Sequence, residues 1–109
     1  MNKQKLTDPE FLTFCENAMP IEVVEKFTDN NIRGLENIAL RSISTRSKLP
    51  ANVVNLLVAY FYSHYGKQVY NRNDLARLYD YWASKDVRTM AQATEMIDED
   101  IEAVLNTLK

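Results

Sequence analysis

Apolar residues recur along this chain at three- and four-residue steps, with polar residues between them. That is the repeat of α-helices that pack by one face. In "TDPEFLTFCENA" the stripe is Phe11, Leu12, Phe14 and Cys15. Thr7 or Asp8 supplies an N-cap, and Pro9 stands at the first helical position, where its missing N–H loses nothing. Pro20 interrupts this helix, and Ile21, Val24 and Phe27 mark a second short one. A third follows "TDNN", with Ile32, Leu35, Ile38, Ala39 and Ser42–Ile43 inward and Arg33, Asn37, Arg41 and Ser44 on the other side. Gly34 blurs its start.

The stretch "ANVVNLLVAYFYSHYG" breaks this amphipathic rule. Val53, Val54, Leu56, Leu57, Val58, Tyr60 and Phe61 cover nearly the whole circumference. A helix apolar all round is a buried one, so residues 51–64 are predicted to be the centre of the domain. The β-branched residues offer a strand instead; the length of the run, the absence of a period of two and Gly66 as terminator favour the helix. A short loop, with an extended pair at Val69–Tyr70, leads to "DLARLYDYWASKDVRT", capped by Asn73 or Asp74. Leu75, Leu78 and the sole tryptophan, Trp82, share its inner face, with Tyr79 at the edge. Thr89 and Gln92 then form a capping box. Beyond it Met90, Ala93, Ile97, Ile101, Val104 and Leu108 make one continuous stripe, with Glu95, Asp98, Glu99, Asp100 and Glu102 outside.

The expected fold is therefore all-α, a compact bundle of about five to six helices around the buried central one. The 109 residues make a single domain. Two glycines and three prolines are too few for the turns of an all-β sandwich. Cys15 is the only cysteine, which excludes an internal disulfide and a cysteine-based zinc site and fits a cytoplasmic location. It is expected to be a small core residue. The N-terminus has no apolar signal-peptide region, and "VVNLLVAYFY" is too short to span a bilayer.

No catalytic constellation is present: one histidine, no glycine-rich phosphate loop, and acids that sit on a helix face. The expectation is a protein that is not an enzyme and carries no metal or cofactor. Net charge is −2, unevenly spread. Residues 1–32 carry −3, residues 33–88 carry +5 and residues 89–109 carry −4. A basic middle between acidic ends points to an anionic partner, or else is an uneven solvated surface.

On a helical wheel Arg77, Tyr81 and Lys85 form a slanted row opposite Leu78 and Trp82, with Arg88 just past the helix end. An aromatic between cations is the layout that holds single strands, the ring stacking a base while the cations follow phosphates. The other reading packs Tyr81 on a neighbouring helix and leaves the cations to solvent. A second basic group is Arg41, Arg46 and Lys48, with Arg33 on the same polar side and hydroxyls in "RSISTRSK" able to donate to phosphate. Arg77→Glu or Lys85→Glu is expected to weaken DNA binding without unfolding the domain. The acidic candidates for a protein contact are Asp98, Glu99 and Glu102.

"LPANVVNLLVAYFYSHYGKQV" followed by "DLARLYDYWASKDVRTMAQATEM" resembles the DnaD/DnaB-type domain of Gram-positive replication initiation proteins. Within that group it is most similar to the replication initiation and membrane attachment proteins, which are helicase co-loaders. The residues that carry the resemblance are Val54, Asn55, Leu57 and Tyr60, then Leu78 and Trp82, then Val87, Thr89 and Ala93. They fall within residues 49–97, near half the chain. Asp74 departs from the pattern, standing where the family has an aromatic eight residues before the tryptophan.

The resemblance implies a helical module of a longer protein. It would bind single-stranded or forked DNA and assist primosome assembly and helicase loading, with the replicative helicase, the helicase loader and other initiators as partners. Self-association is a further expectation. Any membrane or nucleoid association would come from the rest of the full-length protein, not from insertion by this segment. The alternative is a module that contacts the helicase, loader or another initiator without touching DNA.

Overall fold

The computed structural model describes residue 6, residues 8–28, 40–41, 43, 48–65 and 72–108. Six helices are defined within them: α1 (Pro9–Asn17), α2 (Pro20–Thr28), α3 (Ala51–Tyr65), α4 (Arg72–Ser84), α5 (Met90–Met96) and α6 (Ile101–Leu108). No strand occurs among the described residues. The fold is an all-α bundle in which α3 packs against each of the other five helices. Its radius of gyration, 12.4 Å, is that of a compact domain of this length.

The local signals at the N-terminal side act as the chain dictates. Asp8 caps α1, its carboxylate accepting from the Glu10 N–H at 3.0 Å, and Pro9 opens the helix. Ala18 turns extended and ends it. The Met19 N–H donates to the Glu22 carboxylate at 2.8 Å, which closes the start of α2. Cys15, Val23 and Val24 are buried, and Phe11 of α1 meets the Phe27 ring of α2 edge-on at 6.0 Å.

Helix α3 is buried on nearly every side, from Val53 to Tyr62. Its one internal polar residue, Asn55, is also buried. The Asn55 amide donates to the carbonyls of Cys15 at 2.6 Å and Ala18 at 2.7 Å. Those carbonyls belong to the end of α1, where helix geometry leaves acceptors without intrahelical donors. A single amide therefore ties the α1 terminus to the central helix.

Three expectations fail at α4 and beyond. Neither Asn73 nor Asp74 precedes the helix: it begins at Arg72, and Asp74 is buried within its first turn. Tyr79 is not at an edge but fully buried, and its phenol accepts from the backbone N–H groups of Lys48 at 3.0 Å and Leu49 at 3.1 Å. The stretch before α3 thus needs a polar atom inside the core, and Tyr79 supplies it. The final stripe is not one helix: α5 stops at Met96 and α6 begins at Ile101. Both halves bury their apolar residues against the bundle, so the spacing survives although the axis breaks. The capping box at Thr89 and Gln92 forms as the spacing requires.

The helix expected across Ile32–Ser44 is described only at residues 40–41 and 43, which are helical, with Leu40 and Ile43 buried. Arg33, Gly34, Arg46, Gly66 and the Val69–Tyr70 pair lie outside the described residues. No helix of the described residues is long and apolar enough to cross a membrane.

Candidate nucleic-acid interface

Helix α4 divides its residues sharply. Leu75, Leu78, Tyr79 and Trp82 are buried, and the indole lies against the Tyr60 ring of α3, with centroids 6.0 Å apart. Trp82 is core. Asp74 shares that inner side at four-residue steps with Leu78 and Trp82. A buried carboxylate needs a compensating charge, and Arg77 provides it: Nη1 lies 2.7 Å from the Asp74 Oδ1. The Arg77 side chain remains 38% exposed. Its guanidinium can donate in several directions at once, so part of it still faces outward. Its first task, however, is to hold Asp74 inside.

This changes the mutational expectation. Arg77→Glu would set a second carboxylate beside a buried one, so loss of stability would accompany any loss of binding. Lys85 is the cleaner probe.

Tyr81 is half-buried on the outer row. The ring packs in part on the apolar core, and Lys85, which is exposed, holds its ammonium 5.7 Å from the ring centre. The phenol hydroxyl makes long contacts of 3.4 and 3.5 Å with the Glu99 carboxylate oxygens. Desolvation, then the nearby Glu99 charge and hydrogen bond, raise the Tyr81 pKa above its ordinary value. The ring therefore presents a neutral phenol beside one cation and one anion, not simply an aromatic between two cations.

Helix α4 ends by a backbone lock. The Val87 N–H donates to the Trp82 carbonyl and the Asp86 N–H to the Ala83 carbonyl. This pattern calls for a left-handed residue, and Asp86 adopts it at φ 58° where glycine is the common choice. Asp86 also pairs with Arg88, Oδ1 to Nε at 2.9 Å. Both partners are well exposed, and such pairs contribute little to stability. Arg88 is further held by its backbone N–H, which donates to Gln92 at 2.8 Å.

The second basic group is only partly described. Arg41 and Lys48 are exposed, and Arg46 lies outside the described residues. Lys48 attaches through its N–H to Tyr79, on the buried flank of α4 and not on the Arg77–Tyr81–Lys85 row.

The acidic candidates do not form one helix face. Asp98 and Glu99 sit in the turn between α5 and α6, and Glu102 opens α6. Glu102 Oε1 is 2.8 Å from His64 Nε2, joining α6 to the last turn of α3. The Glu99 carbonyl accepts from the Tyr60 phenol at 2.5 Å. Burial first, and then Glu99 and Asp100, push the Tyr60 pKa up, so the phenol stays a donor.

A connected chain results: Trp82 stacks beside Tyr60, Tyr60 holds the Glu99 backbone, and the Glu99 carboxylate meets Tyr81. Asp86, Tyr60 and Glu99 thus shape the α4 edge, yet sequence spacing alone did not join them. One signal was available, the lack of a glycine after α4. For Asp74 the signal is its four-residue spacing to Leu78 and Trp82, which places it on the inner side of α4.

Among the described residues, no three His, Cys, Asp or Glu side chains gather as a metal site requires. Comparison with protein-family models, with curated proteins and with solved structures finds no match to this chain.

Proposed function

We propose that this all-helical domain is a DNA replication initiation module that binds single-stranded DNA along the outer row of α4 and assists primosome assembly and helicase loading. The observation that carries the binding reading is the half-exposed Tyr81 ring with Lys85 over it, on a helix fixed from behind by Trp82. A base stacks on the ring, and Lys85 moves outward to a phosphate. The order of residues across 49–97, similar to that of the replication initiation domains, supports the biological setting. Asp74, which departs from that order, is nonetheless inward, as its spacing with Leu78 and Trp82 demands, and Arg77 neutralises it.

Fluorescence anisotropy with short single-stranded oligonucleotides at low salt tests the reading. Affinity should fall steeply as salt rises, because bound phosphates release counterions. Tyr81→Ala should weaken binding about tenfold through lost stacking. Lys85→Glu should weaken it by a similar factor while leaving the circular dichroism spectrum unchanged. Absence of binding to any single strand at low salt would refute the DNA reading.

A second reading, a protein-interaction module, is favoured by one observation: Arg77 and Arg88 are each paired with a neighbouring acid, and Glu99 reaches the Tyr81 hydroxyl. An edge carrying both signs suits a polar protein surface. In this reading the helicase or its loader is captured through Asp98, Glu99 and Glu102. Charge reversal at Asp98 and Glu99 should then abolish capture in a pull-down, and reversal at Asp98 alone should weaken capture with single-strand affinity retained. Glu102 is best left intact in that test, because it also holds His64.

A further inference from the structure

We infer that Glu99 makes the Tyr81 site selective for bases that carry an exocyclic amino group, and that it disfavours thymine. The inference rests on the proposed single-strand binding and deepens it.

A carboxylate only accepts hydrogen bonds. The two Glu99 oxygens lie 3.4 and 3.5 Å from the Tyr81 hydroxyl, so they stand at the rim of the ring on which a base would stack. A base on Tyr81 turns one edge toward them. Cytosine offers an N4 amino donor to such a carboxylate, whereas thymine places a carbonyl oxygen at the same position. Stacking itself tolerates every base, so the discrimination falls to the acid at the rim.

The placement of Glu99 is built, not incidental. Tyr60, buried and packed on Trp82, donates to the Glu99 carbonyl and fixes the turn that carries the side chain. The Tyr81 contact then steers the carboxylate, while Glu99 itself stays exposed and open to a ligand. The same charge opposes phosphate, so it lowers affinity for every strand and recovers part of that loss only where a base can donate to it.

The test is anisotropy at neutral pH and low salt with short oligodeoxycytidine and oligothymidine, on the wild-type chain, Glu99→Gln and Glu95→Gln. Glu95 is an exposed acid at the end of α5 and serves as a control for charge alone. The wild type should bind the cytidine strand about fivefold more tightly. Glu99→Gln should bind both strands more tightly and nearly equally, since its amide both donates and accepts. Glu95→Gln should shift both affinities together and keep the wild-type ratio. Equal binding of the two strands by the wild type, or an undiminished ratio in Glu99→Gln, overturns the selectivity while single-strand binding stands. Failure of every strand to bind removes the underlying reading and this inference with it.

Discussion

The central helix grips two breaks in the chain, one on each side, and it grips them differently. At the α1–α2 break, Asn55 donates to the carbonyls of Cys15 and Ala18 from a position sealed in the core. At the α5–α6 break, Tyr60 is buried as well, but it donates to the carbonyl of Glu99, a residue exposed at the surface. The first joint is internal and its failure would be structural. The second carries exposed acids and abuts the Tyr81 ring, so it both holds the fold and shapes a surface. The contrast shows one device, a polar side chain on an otherwise apolar helix, serving stability at one end and presentation at the other.

The comparison can be broken first at Asn55. Asn55→Ala would leave the buried Cys15 carbonyl and the partly buried Ala18 carbonyl without this donor, so urea unfolding should show a loss of about 3 kcal/mol. A loss below that of the Tyr60 variant would mean that the sealed joint is not the stronger one. Tyr60→Phe should cost less, about 1 kcal/mol, because the Glu99 turn is open to solvent.

The Tyr60 variant should also sharpen the comparison through pH. The folded-state pKa of Tyr60 is raised above the ordinary value of 10.0. Its stabilising contribution is therefore complete below pH 10 and is lost as pH climbs beyond it, when the unfolded phenol ionises and the folded one does not. Cys15 acts in the same direction, its thiol pushed by burial from 9.0 up to about 12. Stability should thus decline on the alkaline side in the wild type, and Tyr60→Phe should make that decline shallower in urea titrations run at successive pH values. An unchanged slope would detach Tyr60 from the effect.

The smallest expected effect lies at Asp86. Glycine adopts the left-handed region without the steric cost that Asp86 bears at φ 58°. Asp86→Gly should raise stability by about 0.5 kcal/mol despite losing the exposed pair with Arg88. A fall in melting temperature would show that the Arg88 contact outweighs the backbone strain.

Much of the fold is legible in the sequence. Pro9 and Pro20, the Asp8 cap, the Thr89–Gln92 box and the apolar circumference of residues 51–64 are local features, and each produced the local structure that its chemistry requires. The α5–α6 break was not legible. "IDEDI" contains neither proline nor glycine, and the apolar spacing runs through it without interruption. Periodicity reports which residues face the core, and it cannot report whether the axis bends between them.

The candidate site divides in the same way. Trp82 inward followed from the wheel of α4, whereas Tyr81, which the wheel left between solvent and a neighbouring helix, is half-buried against the core. The buried Asp74–Arg77 pair and the Tyr81–Glu99 contact did not follow from the wheel. The first depends on how deeply α4 sinks its first turn into the bundle. The second joins residues 18 apart across two helices and a turn.

What the sequence settled by itself is the helical class, the buried central segment and the side of each helix that faces in, because these follow from side-chain spacing within a few turns. Only the tertiary structure decided which charges neutralise one another and which acid meets the exposed ring. Those pairings arise where separate helices meet, and the one-dimensional pattern carries no measure of the distance between them.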